Sequence, residues 1–195
     1  MTTYPASVLD NTLLFLNPEL FWQPKLQGFT GLHAPIYCFL ISKGNHHIIF
    51  DLGVRRDWQN LAPKIVSLIK ATTVITPGSD VASVLDSDCS GLNIRSTDIN
   101  AVIWSHNHFD HIGDMTTFPY STELIVGPGV YAASWPGWPQ NLDAGTLDSD
   151  AQGRVVREIT FDNDNNIGLK IGRFDALDFF GDGSFYLLDA PGHAV

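Results

Sequence analysis

Apolar and polar positions change rhythm several times along the chain, and each rhythm predicts an element. Ile36 to Ile41 run apolar, Ser42 to Asn45 form a turn cluster, and His47 to Phe50 run apolar again. That pattern predicts a β-hairpin over 36–51. In "WQNLAPKIVSLIK", residues 58–70, Leu61, Ile65, Leu68 and Ile69 recur at helical spacing. The spacing predicts an amphipathic helix, with Pro63 in the first turn where a missing N–H is tolerated. "GSDVASVLDS", residues 78–87, predicts a second short helix capped by Ser79 or Asp80. "AVIW" (101–104) and "ELIV" (123–126) are brief apolar runs that read as buried strands. Short strands return at "VVREITF", "FDALDFF" and "SFYLLDA", the last two joined by a turn at Gly181-Asp182-Gly183. Between them, residues 134–153 keep neither period, and a loop of that length is usually functional. Strands mixed with amphipathic helices give an α/β or α+β class.

Composition narrows the function classes. With 195 residues the chain predicts one domain over 1–195, and 44% apolar against 16% charged residues is a globular balance. The net charge of −10, with Arg55-Arg56 as the sole adjacent basic pair, argues against nucleic acid and anionic membranes as partners. It leaves a small-molecule substrate as the favoured partner. Residues 1–22 carry no basic segment before an apolar stretch broken by Asp10, Asn11, Asn17 and Pro18, which predicts neither leader nor membrane span. Cys38 lies in an apolar run and reads as a buried thiol. Its spacing to Cys89 argues for no disulfide, which favours a reducing compartment and the cytoplasm.

The chemistry concentrates in "WSHNHFDHIGD", residues 104–114, directly behind the strand predicted at 101–104. Three of the seven histidines, His106, His108 and His111, fall there with Asp110. In an extended loop, rings two apart point the same way, so His106 and His108 suit one metal ion. Asp110 and His111 are neighbours whose side chains are expected to diverge, which suits a second half-site. Imidazole and carboxylate ligands fit Zn²⁺, with Fe or Mn as alternatives. A histidine-rich surface loop is the competing reading, and the spacing behind a buried strand weighs against it. No Cys-x-x-Cys supports a zinc finger, no Gly-x-Ser-x-Gly a serine hydrolase, and no Gly-Lys-Ser/Thr a phosphate loop.

"HNHFDH" resembles the His-x-His-x-Asp-His motif of the metallo-β-lactamase superfamily, and its surroundings resemble the lactonase branch and fungal hydrolases of that superfamily. "FDLG" at 50–53 resembles the family's Phe-Asp-x-Gly motif. "DAPGHA" at 189–194 resembles its next motif, so three motifs follow in the family's order over about 34–195. The resemblance implies an αββα sandwich whose C-terminal half is largely missing from this chain. It implies a first metal site of His106, His108 and His193, and Asp110 with His111 as the protein half of a second. Asp51 is implied to support the metal loop by hydrogen bonding. One or two Zn²⁺ ions are implied, and a lactone or related cyclic ester or amide opened by a metal-bound hydroxide. Asp110 would pass the proton to the leaving group. The family's bridging aspartate and later histidine lie outside this sequence, so the chain reads as C-terminally truncated.

Alternatives within the family are β-lactam or thioester hydrolysis and iron-dependent oxygenation; nuclease activity sits poorly with the charge. A non-catalytic relative is the contrasting class. Trp135 and Trp138 are candidates for a substrate pocket, against a plain packing role. His33 is a loop or packing residue, and His46 and His47 are expected in solvent at the hairpin turn.

Overall fold

The computed structural model describes residues 6–17, 24, 27–87, 91–161 and 168–193. Cys89 and parts of the 1–22 segment lie outside the described residues.

Seven strands form one mixed sheet. They are β1 (Ala6–Leu16), β2 (Leu32–Lys43), β3 (His46–Phe50), β4 (Thr73–Pro77), β5 (Ile99–Ile103), β6 (Glu123–Val126) and β7 (Val156–Glu158). Their order is β4-β1-β2-β3-β5-β6-β7. The first four are antiparallel neighbours, and β3, β5, β6 and β7 run parallel. The short strands β8 (Lys170–Ile171), β9 (Phe174–Asp178) and β10 (Tyr186–Leu188) make a second, antiparallel sheet in the order β10-β9-β8.

The parallel strands explain their own sequences. Ile48, Ile49, Ala101, Val102, Ile103, Leu124, Ile125 and Val126 are all buried, so these runs are covered on both faces and show no alternation. On one face, α1 (Pro63–Thr72) and α2 (Val81–Asp86) bring Ile69, Val81 and Leu85 against Cys38, Leu40, Ile49, Val102 and Leu124. On the other, Leu187 with the partly buried Phe179, Phe180 and Phe185 cover Ile48, Ala101, Ile103 and Ile125. The three layers are therefore helices, large sheet and small sheet. The small sheet does not reach the antiparallel end, where Val8, Tyr37 and Val74 remain exposed.

The predicted hairpin is β2–β3, with His47 opposite Ser42, and Cys38 is buried as expected. His46 is exposed, but His47 is half-buried with its Nδ1 2.8 Å from Ser42 Oγ. His33 lies on β2, its ring centroid 5.0 Å from that of Phe15. The helix expected over 58–70 begins with a separate 3₁₀ turn, Trp58–Asn60. Pro63 opens α1, which runs straight into β4 at Thr73. β1, β4, β8 and the short helices α3 (Phe109–Ile112), α4 (Val130–Ser134) and α5 (Asp148–Ala151) were not anticipated.

Asp80 caps α2: its Oδ1 accepts from Ser83 N at 2.8 Å and its Oδ2 from Ser83 Oγ at 2.7 Å. Asp80→Ala is expected to lower stability by about 1 kcal/mol without moving the site, measured by urea denaturation.

Candidate metal centre

Three parallel strands end at one edge of the sheet, and the chain leaves each of them as a loop. In open α/β sheets, ligands bind outside such carboxyl ends. β3 hands over to Asp51, and β5 to Trp104, Ser105 and His106. Trp104 is buried, stacked on Trp135 at 5.8 Å, and anchors the start of the second loop. α3 then turns the chain so that Asp110 and His111 return toward His106. His193 arrives from the far side, five residues beyond the end of β10.

The loop is fixed from below by Asp51, which is 5% exposed and adopts a left-handed backbone (φ 61°). Its Oδ1 accepts from Ser105 N at 2.7 Å, and its Oδ2 from Ser105 Oγ at 2.8 Å and His111 Nδ1 at 2.7 Å. Leu52 N donates to His111 O, and Gly113 N donates to Gly53 O. Gly113 is required there: its φ is 52°, and a Cβ would stand 2.2 Å from Leu52 Cβ.

His106, His108 and His193 each offer one nitrogen, and these atoms lie within 4.8 Å of one another. The His106 ring centroid is 4.6 Å from that of His108, 5.0 Å from His193 and 4.1 Å from His111. The Ser105 hydroxyl spends its proton on Asp51, so at 3.0 Å it can only accept from His106 Nδ1. That fixes the tautomer and leaves His106 Nε2 with a lone pair. Nε2 is buried and has no hydrogen-bond partner among the described residues. A buried nitrogen acceptor facing two more imidazoles fits a divalent cation.

The electrostatics agree. Burial, then the charges of His111 and His108, push His106 down to about 4. Burial and then His193 lower His108. Both rings are therefore neutral at pH 7. His111 behaves oppositely: burial opposes its charge, but hydrogen bonds to Asp110 and Asp51 raise it to about 9. Asp110, which burial would raise, is held below its usual range by the hydrogen bond and charge of His111. The two side chains do not diverge as expected from adjacency. His111 Nε2 lies 3.5 Å from Asp110 Oδ2, so they converge beside His106.

A cavity of about 920 Å³ opens onto His106 and His193. Phe50, Phe161, Phe180 and Phe185 line it, and among the described residues no lysine or arginine does. Sequence reading missed these aromatics and Ser105. For Phe180 and Phe185 the run of phenylalanines through 174–185 was the signal. Trp135 and Trp138 are placed elsewhere: both pack against the helix-side core, and neither lines the cavity. Trp135 also donates from Nε1 to Leu147 O, so its polar edge is engaged inside the loop.

Residues 33–195 match the metallo-beta-lactamase superfamily. The chain belongs to this superfamily. It is 71% identical over 194 residues to the metallo-hydrolase mfmC of Annulohypoxylon moriforme, covering 99% of this chain and 50% of that protein. It is 44% identical over 203 residues to the gamma-lactamase FDB1 of Fusarium pseudograminearum, covering 100% of this chain and 48% of that protein. The chain thus spans about half the length of these relatives. Its fold is that of a solved N-acyl homoserine lactone hydrolase carrying N-hexanoyl-L-homoserine at its catalytic metal centre. The TM-score is 0.62 at 18% identity, covering 91% of this chain and 66% of that one. No helix among the described residues is long and apolar enough to cross a membrane.

Proposed function

We propose that this metallo-hydrolase domain, spanning 1–195 with its motifs in about 34–195, opens a lactone ring, with zinc held by His106, His108 and His193. The observation that carries the reading is the buried His106 Nε2, without a hydrogen-bond partner among the described residues, facing two further imidazoles at the carboxyl ends of parallel strands. Asp110 and His111 supply the protein side of a second metal position, with Fe or Mn as alternatives to zinc in either. When bound, such an ion supplies Lewis acidity and brings the pKa of water to about 7.

The chain's own residues do the rest. Asp51 and Ser105 orient His106 and His111. The aromatic cavity holds the body of the substrate and keeps bulk water from the ring. Asp110, ionised at neutral pH, accepts the proton of the attacking water at its carboxylate. Water oxygen bonds to the carbonyl carbon, the ring C–O bond breaks, and Asp110 returns the proton to the departing alkoxide. A cavity without lysine or arginine among the described residues suits a neutral ring better than a carboxylated β-lactam or a polyanionic thioester. A γ-lactam is the second reading, supported by the 44% identity to a gamma-lactamase. The buried Cys38 suits a reducing compartment, and we place the protein in the cytoplasm.

The test is zinc content together with turnover of matched γ-lactones and γ-lactams. Zinc bound with lactone turnover supports the reading; lactam turnover alone moves it to the second. No zinc at micromolar concentrations sinks both.

A pH-linked result follows. His111 at about 9 is protonated at pH 7.5 in the metal-free protein, and a ligand must be neutral. Filling the Asp110–His111 position is expected to release about one proton at pH 7.5 and none well above pH 9. Titration calorimetry in buffers of different ionisation enthalpy measures this. His111→Gln should abolish the release; a wild-type protein releasing none would remove His111 from the ligand set.

A further inference from the structure

Below the loop that carries His111, a second cluster of charges is buried in the fold. Arg55 is 8% exposed and donates from Nε to Asp57 Oδ1 at 2.7 Å, and from Nη2 to Asp57 Oδ2 at 3.2 Å and Asp114 Oδ2 at 3.0 Å. It therefore joins the strand-end loop 51–57 to Asp114, three residues past His111. Arg154 spreads its guanidinium over the next segment. Its Nη1 donates to Pro119 O and Thr122 O, and its Nη2 to Met115 O and Phe118 O.

Asp150, 1% exposed in the first turn of α5, stands within electrostatic reach of both arginines and of Asp114. Its Oδ2 accepts from Leu147 N at 3.1 Å. Its Oδ1, Arg55 Nη1 and Arg154 Nε are all buried without a partner among the described residues, one acceptor against two donors. Burial pushes the Asp150 carboxyl up to about 7, against the pull of the Leu147 N–H and the two arginines. An asparagine would accept the Leu147 N–H equally well. What it could not supply is negative charge within electrostatic reach of the two guanidiniums.

Taking His111 as a metal ligand, and so resting on the function proposed above, we propose that Asp150 is a positioning residue of the metal loop. Its carboxylate balances Arg55 and Arg154, and through them fixes segment 113–122 against loop 51–57. The loop that presents Asp110 and His111 is thereby held from its C-terminal side, as Asp51 holds it from beneath. Asp150 touches neither substrate nor metal.

Two readouts test this on the whole protein. Zinc affinity is measured by chelator competition, and amide exchange is followed in the metal-free protein. Asp150→Asn is expected to weaken zinc binding about tenfold, the lower range for groups that orient ligands, while Asp150→Glu retains most of it. Leu147→Ala, a packing change beside it, should keep wild-type affinity. In metal-free Asp150→Asn, the Gly113 and Phe118 amides should exchange about tenfold faster while Val102 in β5 is unchanged. Unchanged Gly113 and Phe118, an equal acceleration of all amides, or an affinity loss shared by Leu147→Ala would overturn the proposal. Should Asp150→Asn fail to fold, Arg154→Lys must show the same local acceleration, and its absence counts equally against the idea. A wild type that binds no zinc sinks the functional reading, while the exchange data still decide the role of Asp150.

Discussion

His106→Ala is expected to remove zinc binding and hydrolysis together while leaving the fold intact. His106 sits at the centre of the cluster, its ring within 5.0 Å of those of His108, His111 and His193. Its Nε2 is buried without a hydrogen-bond partner among the described residues. Removing a group that merely orients a ligand costs about 10–100-fold in metal affinity, so losing the ligand itself should exceed about 100-fold. The ring is only half-buried and among the described residues hydrogen-bonds to Ser105 alone, so the metal-free variant should stay within about 1 kcal/mol of wild type. His33→Ala, an exposed histidine against Phe15, is the control and should keep both zinc and turnover. Zinc content by mass spectrometry and lactone turnover read the two effects. A His106→Ala protein with wild-type zinc and rate would dissolve the assignment.

The contrast between His106 and Trp135 shows what the sequence could carry. His106, His108 and the motif around them were readable because their relation is local: two rings two residues apart, behind a run too apolar to be anything but buried. Trp135 and Trp138 were candidates for a pocket, against a packing role, because they follow that loop in sequence. The two rings pack against the helix-side core. Asp110 and His111 show a subtler limit. Their adjacency in a segment read as an extended loop argued for divergence. In the short α3, both side chains lean back over one turn and their tips meet at 3.5 Å.

β1 escaped for a reason written into its register. Its pairing with β2 slips between Asp10 and Thr12, so the alternation changes phase in mid-strand and matches no single template. β4 was not read at all: the helix was read to Lys70, and no glycine or turn residue between Thr72 and Thr73 marks the start of a new element. The Arg55–Asp150–Arg154 cluster had no sequence signal at all, since its members are brought together only by tertiary packing.

Asp51→Ala is expected to cost both stability and metal affinity, and the two losses have separable causes. The carboxylate accepts from Ser105 N, Ser105 Oγ and His111 Nδ1 at 2.7–2.8 Å. Alanine would strand these donors, at about 1–3 kcal/mol for each that stays dry, so a net loss of about 3 kcal/mol is expected after water reaches some of them. His111, raised to about 9, would also lose an anionic partner. The backbone adds a further penalty, because φ is 61° and alanine tolerates the left-handed region poorly, by about 1–2 kcal/mol. Asparagine is the dissecting variant. It adopts that backbone readily and keeps one acceptor for Ser105 N, but it brings no charge to His111. Asp51→Asn should therefore recover roughly half of the stability and still bind zinc about tenfold more weakly. Urea denaturation of the metal-free protein and chelator competition measure the two losses. If Asp51→Asn matched wild type in both while Asp51→Ala failed in both, the residue would serve the loop through its backbone conformation, and the orientation of His106 and His111 would have to come from Ser105 alone.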